Sequence, residues 1–337
     1  MPRLGVHLQL GHGLRRAAER VAAIRAETIQ VFVDNPTAWK RRAAPPRDLA
    51  AFRDRLVELE VRPVAVHASY LVNLAGPEPD FRRRSIAVLA AEILAGRGYG
   101  ASFVNVHTGS HRETTVEAGI ERVAAGVAEV LARVDDAPPD DAASDTAGSA
   151  RAPMLVLENA AGGGWAIGSS VAQLAAVADR AAALGVPDRR LGFCLDTAHA
   201  WGAGLRVDDP EAIDALLESF ETELGLERLV MVHLNDSSSE LGARLDRHEH
   251  VGAGRIGPRG LGHLLRHVRL ADRPFILETP GMAEGYDAVN LERARGLLAD
   301  RPLEPLSPEA FQLSRRTHAA APADDDLEPA ASSGRRR

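Results

Sequence analysis

Eight short apolar runs, rich in branched side chains, alternate along the chain with more polar segments. They predict β-strands at Leu4–Leu10, Thr28–Val33, Pro63–His67, Phe103–His107, Met154–Glu158, Gly192–Asp196, Leu229–His233 and Phe275–Glu278. Amphipathic segments such as Leu14–Arg25, Val116–Val134 and Ser170–Ala183 lie between most of them and predict helices. Buried strands that alternate with helices are typical of a parallel sheet. Eight such units in one domain favour an α/β fold built as a single (β/α)8 TIM barrel.

The barrel domain is predicted to span residues 1–304. Residues 135–153 are rich in Asp, Ala, Pro and Ser and have almost nothing to bury, so we expect a disordered insertion there. This insertion lies between a helix and the next strand, which puts it on the amino-terminal face of the barrel. Residues 305–337 are of low complexity and end in three arginines, so we expect a disordered tail.

Composition indicates a globular protein that works in a reducing compartment. Hydrophobic residues make up 45% of the chain and the mean hydropathy is −0.14, and no run approaches the ~18 apolar residues of a membrane span. The amino terminus enters the first strand without an export signal. Cys194 is the single cysteine, predicted to be buried and inert, and cannot form an internal disulfide. We therefore expect a cytoplasmic protein, a monomer, without a membrane partner.

The net charge of −7 does not exclude a nucleic-acid partner. The segment 135–150 holds five aspartates and no lysine or arginine; they are Asp135, Asp136, Asp140, Asp141 and Asp145. The rest of the chain is therefore nearly neutral and can still carry a basic face.

Six of the predicted strands end on a residue that can bind a metal ion. These residues are His67, His107, Glu158, Asp196, His233 and Glu278. Parallel strands in a βα series bring their carboxyl ends to one face, so the six side chains should converge there. His199, three positions after Asp196, and Asp246 and His248, in the loop after the seventh strand, join them. The sequence thus predicts a metal cluster at the carboxyl-terminal face of the strands.

The chemistry of these nine residues indicates several ions. Imidazole and carboxylate ligands suit Zn²⁺, with Mn²⁺ or Fe²⁺ as substitutes. Four carboxylates packed together would repel and take up protons unless cations were present. Two divalent ions would neutralise them, and three would leave a positive surplus that favours a phosphate diester. A single histidine at a strand end is more often structural, so the metal interpretation depends on the joint pattern.

Long motifs in a fixed order carry a resemblance to a known family. They are His67–Leu74, His107–His111, Leu157–Gly162, Cys194–Ala200, His233–Asp236, Gly242–His248, Gly252–Gly257 and Ile276–Thr279. With these motifs the chain resembles, up to about residue 300, the endonuclease IV family of zinc-dependent apurinic/apyrimidinic endonucleases (AP endonuclease family 2).

The resemblance implies a DNA-repair hydrolase with three zinc ions. Such enzymes act in base-excision repair on double-stranded DNA and cut the phosphodiester 5′ to an abasic site, leaving a 3′-hydroxyl. By this resemblance His67, His107 and Glu158 would hold the first ion. Glu158, Asp196, His233 and Glu278 would hold the second, and His199, Asp246 and His248 the third. Glu158 and Glu278 would be the catalytic residues.

The resemblance also implies DNA contacts by Tyr70 and Leu71, which belong to a loop that enters the duplex, and by Arg247. One position departs from the family pattern, because Thr37 stands where the family carries an arginine that enters the duplex beside the lesion. Lys40, Arg41 and Arg42 offer alternative phosphate contacts. The departure concerns recognition of the lesion and leaves the hydrolytic chemistry unchanged.

Two rival functions are compatible with parts of the pattern. A xylose isomerase-like sugar isomerase or epimerase also gathers Glu, Asp and His at barrel strand ends, but around one or two divalent metals and without need of an Asp246-Arg247-His248 element. A non-catalytic DNA-binding protein with a vestigial cluster is the second rival. Metal content and cleavage of an abasic duplex separate the three.

Overall fold

The computed structural model describes residues 1–138 and 152–313. All eight predicted strands are present and form one closed parallel barrel, which confirms the predicted fold class. The barrel strands are β1 Arg3–Leu8, β2 Thr28–Val31, β3 Val64–His67, β4 Phe103–His107, β5 Met154–Glu158, β6 Leu191–Asp196, β7 Leu229–His233 and β10 Pro274–Leu277. They pair in the order β1, β10, β7, β6, β5, β4, β3, β2, and β2 closes on β1.

Helices surround the barrel. They are α1 Leu14–Ile24, α2 Leu49–Glu58, α3 Pro79–Gly98, α4 Val116–Asp135, α5 Val171–Ala183, α6 Thr197–Gly202, α7 Pro210–Leu224, α8 Gly257–Arg266 and α9 Tyr286–Leu298. Branched residues that point outward from the strands, such as Val66, Val104 and Leu155, pack with the apolar faces of the helices into the main core. A two-stranded hairpin, β8 Asp236–Ser237 with β9 His248–Glu249, follows β7.

The interior of the barrel is a second, smaller apolar layer. It consists of Ala65, Val156, Cys194, Met231 and Ile276, all fully buried. Each of these residues lies two positions before a predicted metal ligand. Since side chains along a strand alternate with a period of two, the ligands point into the barrel mouth above this layer. Cys194 is a buried free thiol, as predicted.

Most of the predicted insertion and tail lies outside the described residues. Helix α4 continues to Asp135, inside the predicted insertion, and residues 139–151 and 314–337 are not described. In the described part of the tail, residues 308–313 are helical and Ala310 is buried. The carbonyl of Ala310 accepts a hydrogen bond from His250 Nε2 at 3.0 Å. No helix within the described residues has the length and apolar character needed to cross a membrane.

Candidate metal centre

All nine predicted ligands lie at the carboxyl ends of the barrel strands, where they form what we call the strand-end cluster. Strand register makes His107 the neighbour of Glu158 and makes Asp196 the neighbour of His233. His199 reaches the cluster because Asp196 caps α6 and accepts a hydrogen bond from the His199 backbone N–H at 2.7 Å. Residues distant in the sequence therefore share one polar pocket above the apolar layer.

Three side chains on adjacent strands form the first group of donors. The Nε2 atoms of His67 and His107 lie 3.8 and 3.6 Å from the same carboxylate oxygen, Glu158 Oε2. These separations suit ligands around one ion, since two ligands about 2 Å from a metal stand more than 3 Å apart. Glu158 is fully buried, whereas the His107 side chain is 41% exposed, so the group opens to solvent on the His107 side.

The second group gathers around Nδ1 of His233. This atom lies 3.3 Å from Glu158 Oε1, 3.3 Å from Glu278 Oε2 and 3.8 Å from Asp196 Oδ2. Donor atoms of the four residues all lie within 4.8 Å of one another. Glu158 belongs to both the first and the second group and presents one oxygen to each, which is the geometry of a bridging ligand.

The third group joins α6 to the loop after β7. Asp246 places Oδ2 3.2 Å from His199 Nε2 and Oδ1 3.0 Å from His248 Nε2. His248 Nε2 also lies 3.8 Å from Asp196 Oδ2. Asp196 thus stands between the second and third groups.

A buried carboxylate supports the loop that carries Asp246 and His248. Asp236 accepts hydrogen bonds from the backbone N–H groups of Ser237, Gly254, Ile256 and Gly257, at 2.8 to 3.3 Å. Burial raises the pKa of Asp236 to about 6, although these four donors act to lower it. A Cβ at Gly254 would lie 2.4 Å from the Ser237 carbonyl oxygen, so the motif Gly252–Gly257 needs glycine there.

Residues outside the predicted set complete the cluster. Asn105 donates to Glu158 Oε2, and Asn235 Nδ2 donates to Asp196 Oδ2 at 2.6 Å. Strands β1 and β2 contribute no predicted ligand, but they place His7 and Gln30 against Glu278. No pattern in the sequence pointed to Gln30, because a lone amide in a short strand is compatible with many roles.

The pKa values of the histidines in this pocket lie far from the usual value for a histidine side chain. Burial lowers the pKa of His67 to about 4. Burial acts in the same direction on His248, but the adjacent carboxylate of Asp246 outweighs it and raises the pKa to about 10. Against the effect of burial, neighbouring carboxylates raise the pKa of His199 well above the usual value, and Cys194 together with Glu278 and Glu158 does the same for the pKa of His233.

The carboxylates of the cluster shift in the opposite sense. Burial acts to raise the pKa of Glu158, Asp246 and Glu278, yet the facing imidazoles hold all three well below their usual range. The ionised carboxylates thus face the protonated imidazoles of His199, His233 and His248. In the absence of metal, these protons neutralise the carboxylate charge that cations would otherwise neutralise. The donor atoms and this charge balance fit a group of divalent ions.

A second set of metal-type residues, Asp214, His263 and His267, lies between α7 and α8, and we call it the outer cluster. Asp214 Oδ1 lies 2.6 Å from His263 Nε2 and 3.4 Å from His267 Nε2. His267 Nδ1 accepts the backbone N–H of Arg269 at 3.2 Å. Burial lowers the pKa of His267 and favours a neutral ring, whose one proton must then lie on Nε2 and point at Asp214. The outer cluster is therefore a hydrogen-bonded network.

The predicted DNA-contact residues lie beside the first group of donors. The Tyr70 ring is 49% exposed and contacts the rings of Phe32 and His67, with centroids 5.2 and 5.6 Å away. Leu71 follows it and is partly buried. Thr37 is exposed, and its backbone N–H and Oγ1 both donate to Asn35 Oδ1, at 3.0 and 2.9 Å. Thr37 therefore stabilises its own turn.

Arg41 is mostly buried in an ion pair, and the expectation that it contacts phosphates is wrong. Its Nη1 donates to Glu92 Oε1 at 2.7 Å and its Nη2 to the Asn35 carbonyl at 3.0 Å, with only 13% of the side chain exposed. Glu92 Oε2 also accepts the backbone N–H of Ser69 at 3.0 Å. This ion pair ties the loop that contains Thr37 to the loop that contains Tyr70. Lys40 is exposed, and Arg42 lies 3.6 Å from Asp34.

A groove leads outward from the strand-end cluster. It begins at His107, His199 and Asp246, passes Tyr70, and continues along Arg112 and Trp165. Beyond Trp165 it reaches Phe81 and Arg84, together with acidic residues Glu78, Asp80 and Glu113. Arg247 lies on the loop beside its start and donates from Nη1 to the Asp246 carbonyl at 3.4 Å. The groove combines aromatic faces with guanidinium groups.

Comparison with known proteins agrees with this architecture. A family model described as a xylose isomerase-like TIM barrel matches residues 18–302. A curated protein of Natranaerobius thermophilus, named probable endonuclease 4, is 34% identical over 293 residues, which cover 87% of this chain and 96% of that protein.

Solved structures are also similar to this chain in fold. The crystal structure of endonuclease IV from Thermus thermophilus is 36% identical, with a TM-score of 0.74, and the match covers 89% of this chain and all of that one. A D-tagatose 3-epimerase-like protein reaches a TM-score of 0.61 at 16% identity, over 94% of this chain and 99% of that one. At that identity the likeness concerns the fold alone.

Proposed function

The chain belongs to the endonuclease IV family, and from this premise we propose that it is a metal-dependent AP endonuclease that hydrolyses the phosphodiester 5′ to an abasic site in double-stranded DNA. The cut leaves a 3′-hydroxyl. The observation that carries the proposal is the convergence of five histidines and four carboxylates in one pocket at the start of the groove. A sugar isomerase on this barrel has no need of the third group, in which Asp246 and His248 join His199.

We assign three zinc ions to the strand-end cluster. His67, His107 and Glu158 would hold the first ion, and Glu158, Asp196, His233 and Glu278 the second. His199, Asp246 and His248 would hold the third. The short separations between donor atoms within each group support this division. When bound, the ions supply Lewis-acid polarisation of the phosphate and activation of water at neutral pH.

The two catalytic carboxylates have different environments. Glu158 is fully buried and fixed by Asn105, so it holds the first and second groups at a constant spacing. Glu278 is 16% exposed at the open side of the second group. Since neighbouring imidazoles keep it ionised, Glu278 is placed to orient the attacking water.

DNA would enter along the groove. The half-exposed Tyr70 and the adjacent Leu71 stand at its inner end, where they can occupy the gap left by a missing base. Arg247, beside Asp246, would contact a phosphate. An abasic nucleotide has no base to unpair, so its rotation toward the recessed cluster costs less than that of an intact nucleotide.

A direct test is incision of an end-labelled duplex that contains one tetrahydrofuran abasic analogue, by zinc-loaded full-length protein. We expect a single cut immediately 5′ to the analogue and a 3′ end that a DNA polymerase extends. An undamaged duplex of the same sequence and protein treated with a chelator are the controls, and both should remain uncut.

Two results would contradict the proposal. Tight binding of the abasic duplex without cutting, with zinc supplied, would indicate a DNA-binding protein with a vestigial cluster. Interconversion of a ketose and an aldose by protein that holds one ion would indicate a sugar isomerase.

A further inference from the structure

The histidines of the strand-end cluster use their two ring nitrogens in different ways. His67, His199 and His248 each direct Nδ1 at a backbone carbonyl, of Ala68, Asn159 and Glu278, at 2.7, 2.9 and 2.7 Å. A carbonyl only accepts, so the proton of each neutral ring lies on Nδ1, and Nε2 is left for an ion. His233 is reversed, because its Nδ1 faces the carboxylates and its Nε2 points away from them.

Nε2 of His233 has a side-chain partner. It lies 3.0 Å from Oε1 of Gln30, which is fully buried on β2. The other end of the same amide, Gln30 Nε2, lies 2.7 Å from Glu278 Oε1 and 3.0 Å from His7 Nδ1. Gln30 is therefore in contact with two residues of the second group at once.

Glu278 fixes the orientation of this amide. A carboxylate that binds a metal ion is deprotonated and cannot donate, so in the ion-bound site the Gln30 atom 2.7 Å from Glu278 Oε1 must be the nitrogen. The atom that faces His233 Nε2 must then be the oxygen, and His233 must carry a proton on Nε2. With the amide reversed, two acceptors would stand 2.7 Å apart, and the amide nitrogen would face His233.

We propose that Gln30 is a positioning residue that selects the donor atoms of the second group. Through Oε1 it holds the His233 tautomer that presents Nδ1. Through its amide N–H it occupies Glu278 Oε1, so that Oε2, 3.3 Å from His233 Nδ1, remains for the same ion. His7 Nδ1 lies 3.0 Å from the amide nitrogen and 3.3 Å from Glu278 Oε1, so it packs against the same pair of groups. The inference rests on the proposed function, since it assigns Gln30 to the metal centre proposed there.

The most direct test needs no substitution of Gln30. Long-range ¹H–¹⁵N spectra of zinc-loaded full-length protein labelled at histidine distinguish a protonated from a metal-bound ring nitrogen, and the loss of signals in a His233→Asn chain assigns His233. We expect a proton on Nε2 of His233 and on Nδ1 of His67, His199 and His248. A proton on Nδ1 of His233 would overturn the inference.

Two variants separate the two roles of the amide. Gln30→Met keeps the volume and removes the hydrogen bonds to His233 and Glu278 together with the polar contact to His7, so we expect the affinity for one ion to fall by about 10- to 100-fold. Gln30→Glu keeps an acceptor for His233 and loses the donor to Glu278. Its His233 should retain the Nε2 proton, while the affinity for that ion still falls.

Thr28→Val is the matched control. It removes a buried hydrogen bond in the same strand, from Thr28 Oγ1 to the Pro63 carbonyl at 2.6 Å, without touching the cluster. This control should lose stability but keep the zinc affinity. Wild-type zinc affinity in Gln30→Met would overturn the inference about Gln30 while the proposed function stands. If the unaltered chain neither binds several ions nor cuts, the proposed function fails first.

Discussion

Two groups of the same residue types, the strand-end cluster and the outer cluster, differ in the hydrogen bonds that surround them. In the strand-end cluster, carbonyls or Gln30 face the outer ring nitrogen of four of the five histidines, and the inner nitrogens face carboxylates at ligand-like spacing. In the outer cluster, His267 accepts a backbone N–H, and its remaining proton lies between it and Asp214. Histidines and carboxylates that lie close together are therefore not sufficient to form a metal site. The hydrogen-bond partner on the outer side of each ring decides which ring nitrogen is available to an ion.

The largest effect should follow from Glu278→Gln in the strand-end cluster. The change removes one carboxylate charge and keeps the volume, so folding should persist while cleavage of the abasic duplex falls by about 10²- to 10⁴-fold. Single-turnover incision rates measure this, with circular dichroism as the check on folding. Wild-type cutting would remove Glu278 from the mechanism and weaken the contrast between the two clusters.

The two clusters also differ in protonation, because a metal ion must displace protons from the histidines of the strand-end cluster, whereas burial favours a neutral His267 in the outer cluster. In the metal-free strand-end cluster His199, His233 and His248 have raised pKa values, about 10 for His248, so they hold protons at neutral pH. Zinc binding must release these protons, so the affinity should rise with pH by about tenfold per pH unit for each proton displaced. Calorimetry in two buffers of different ionisation enthalpy counts them. Zinc uptake without proton release would contradict the stated protonation of the cluster.

The smallest effect is expected from the outer cluster. His263→Ala and His267→Ala should each lower the free energy of unfolding by no more than about 1 kcal/mol, because each removes one hydrogen-bonding partner of the largely exposed Asp214. Zinc content and cleavage should not change. His248→Ala is the matched change in the strand-end cluster and should cost one ion per chain. Loss of an ion from the His263 or His267 variant would show that the two clusters do not differ as described.

The barrel and the placement of the nine residues were predictable from local pattern. An apolar run that ends on His107 or Glu158 predicts a β-strand and also places that last residue at the carboxyl end of the strand. The closed parallel barrel brings those strand ends together. For five of the six strand-end ligands, the residue two positions earlier, such as Val156 before Glu158, is apolar and lies on the same face of the strand in the barrel interior. Periodicity and topology thus carry this information.

Other features depend on contacts that the pattern does not encode. The partner of Arg41 is Glu92, 51 residues away, so a basic run that resembles a solvated surface contains a buried ion pair. Gln30 acquires its place only when β2 closes the barrel against β1 and brings it to Glu278 and His233. The tautomer of a histidine is set by such partners and is invisible in the sequence.

The number of zinc ions per chain tests the central claim most directly. Native mass spectrometry of zinc-replete full-length protein, freed of loosely bound metal by gel filtration, should show three ions, and the same three in the His263→Ala variant. A chain that retains no more than one ion would contradict the assignment of the strand-end cluster as a trinuclear hydrolytic centre.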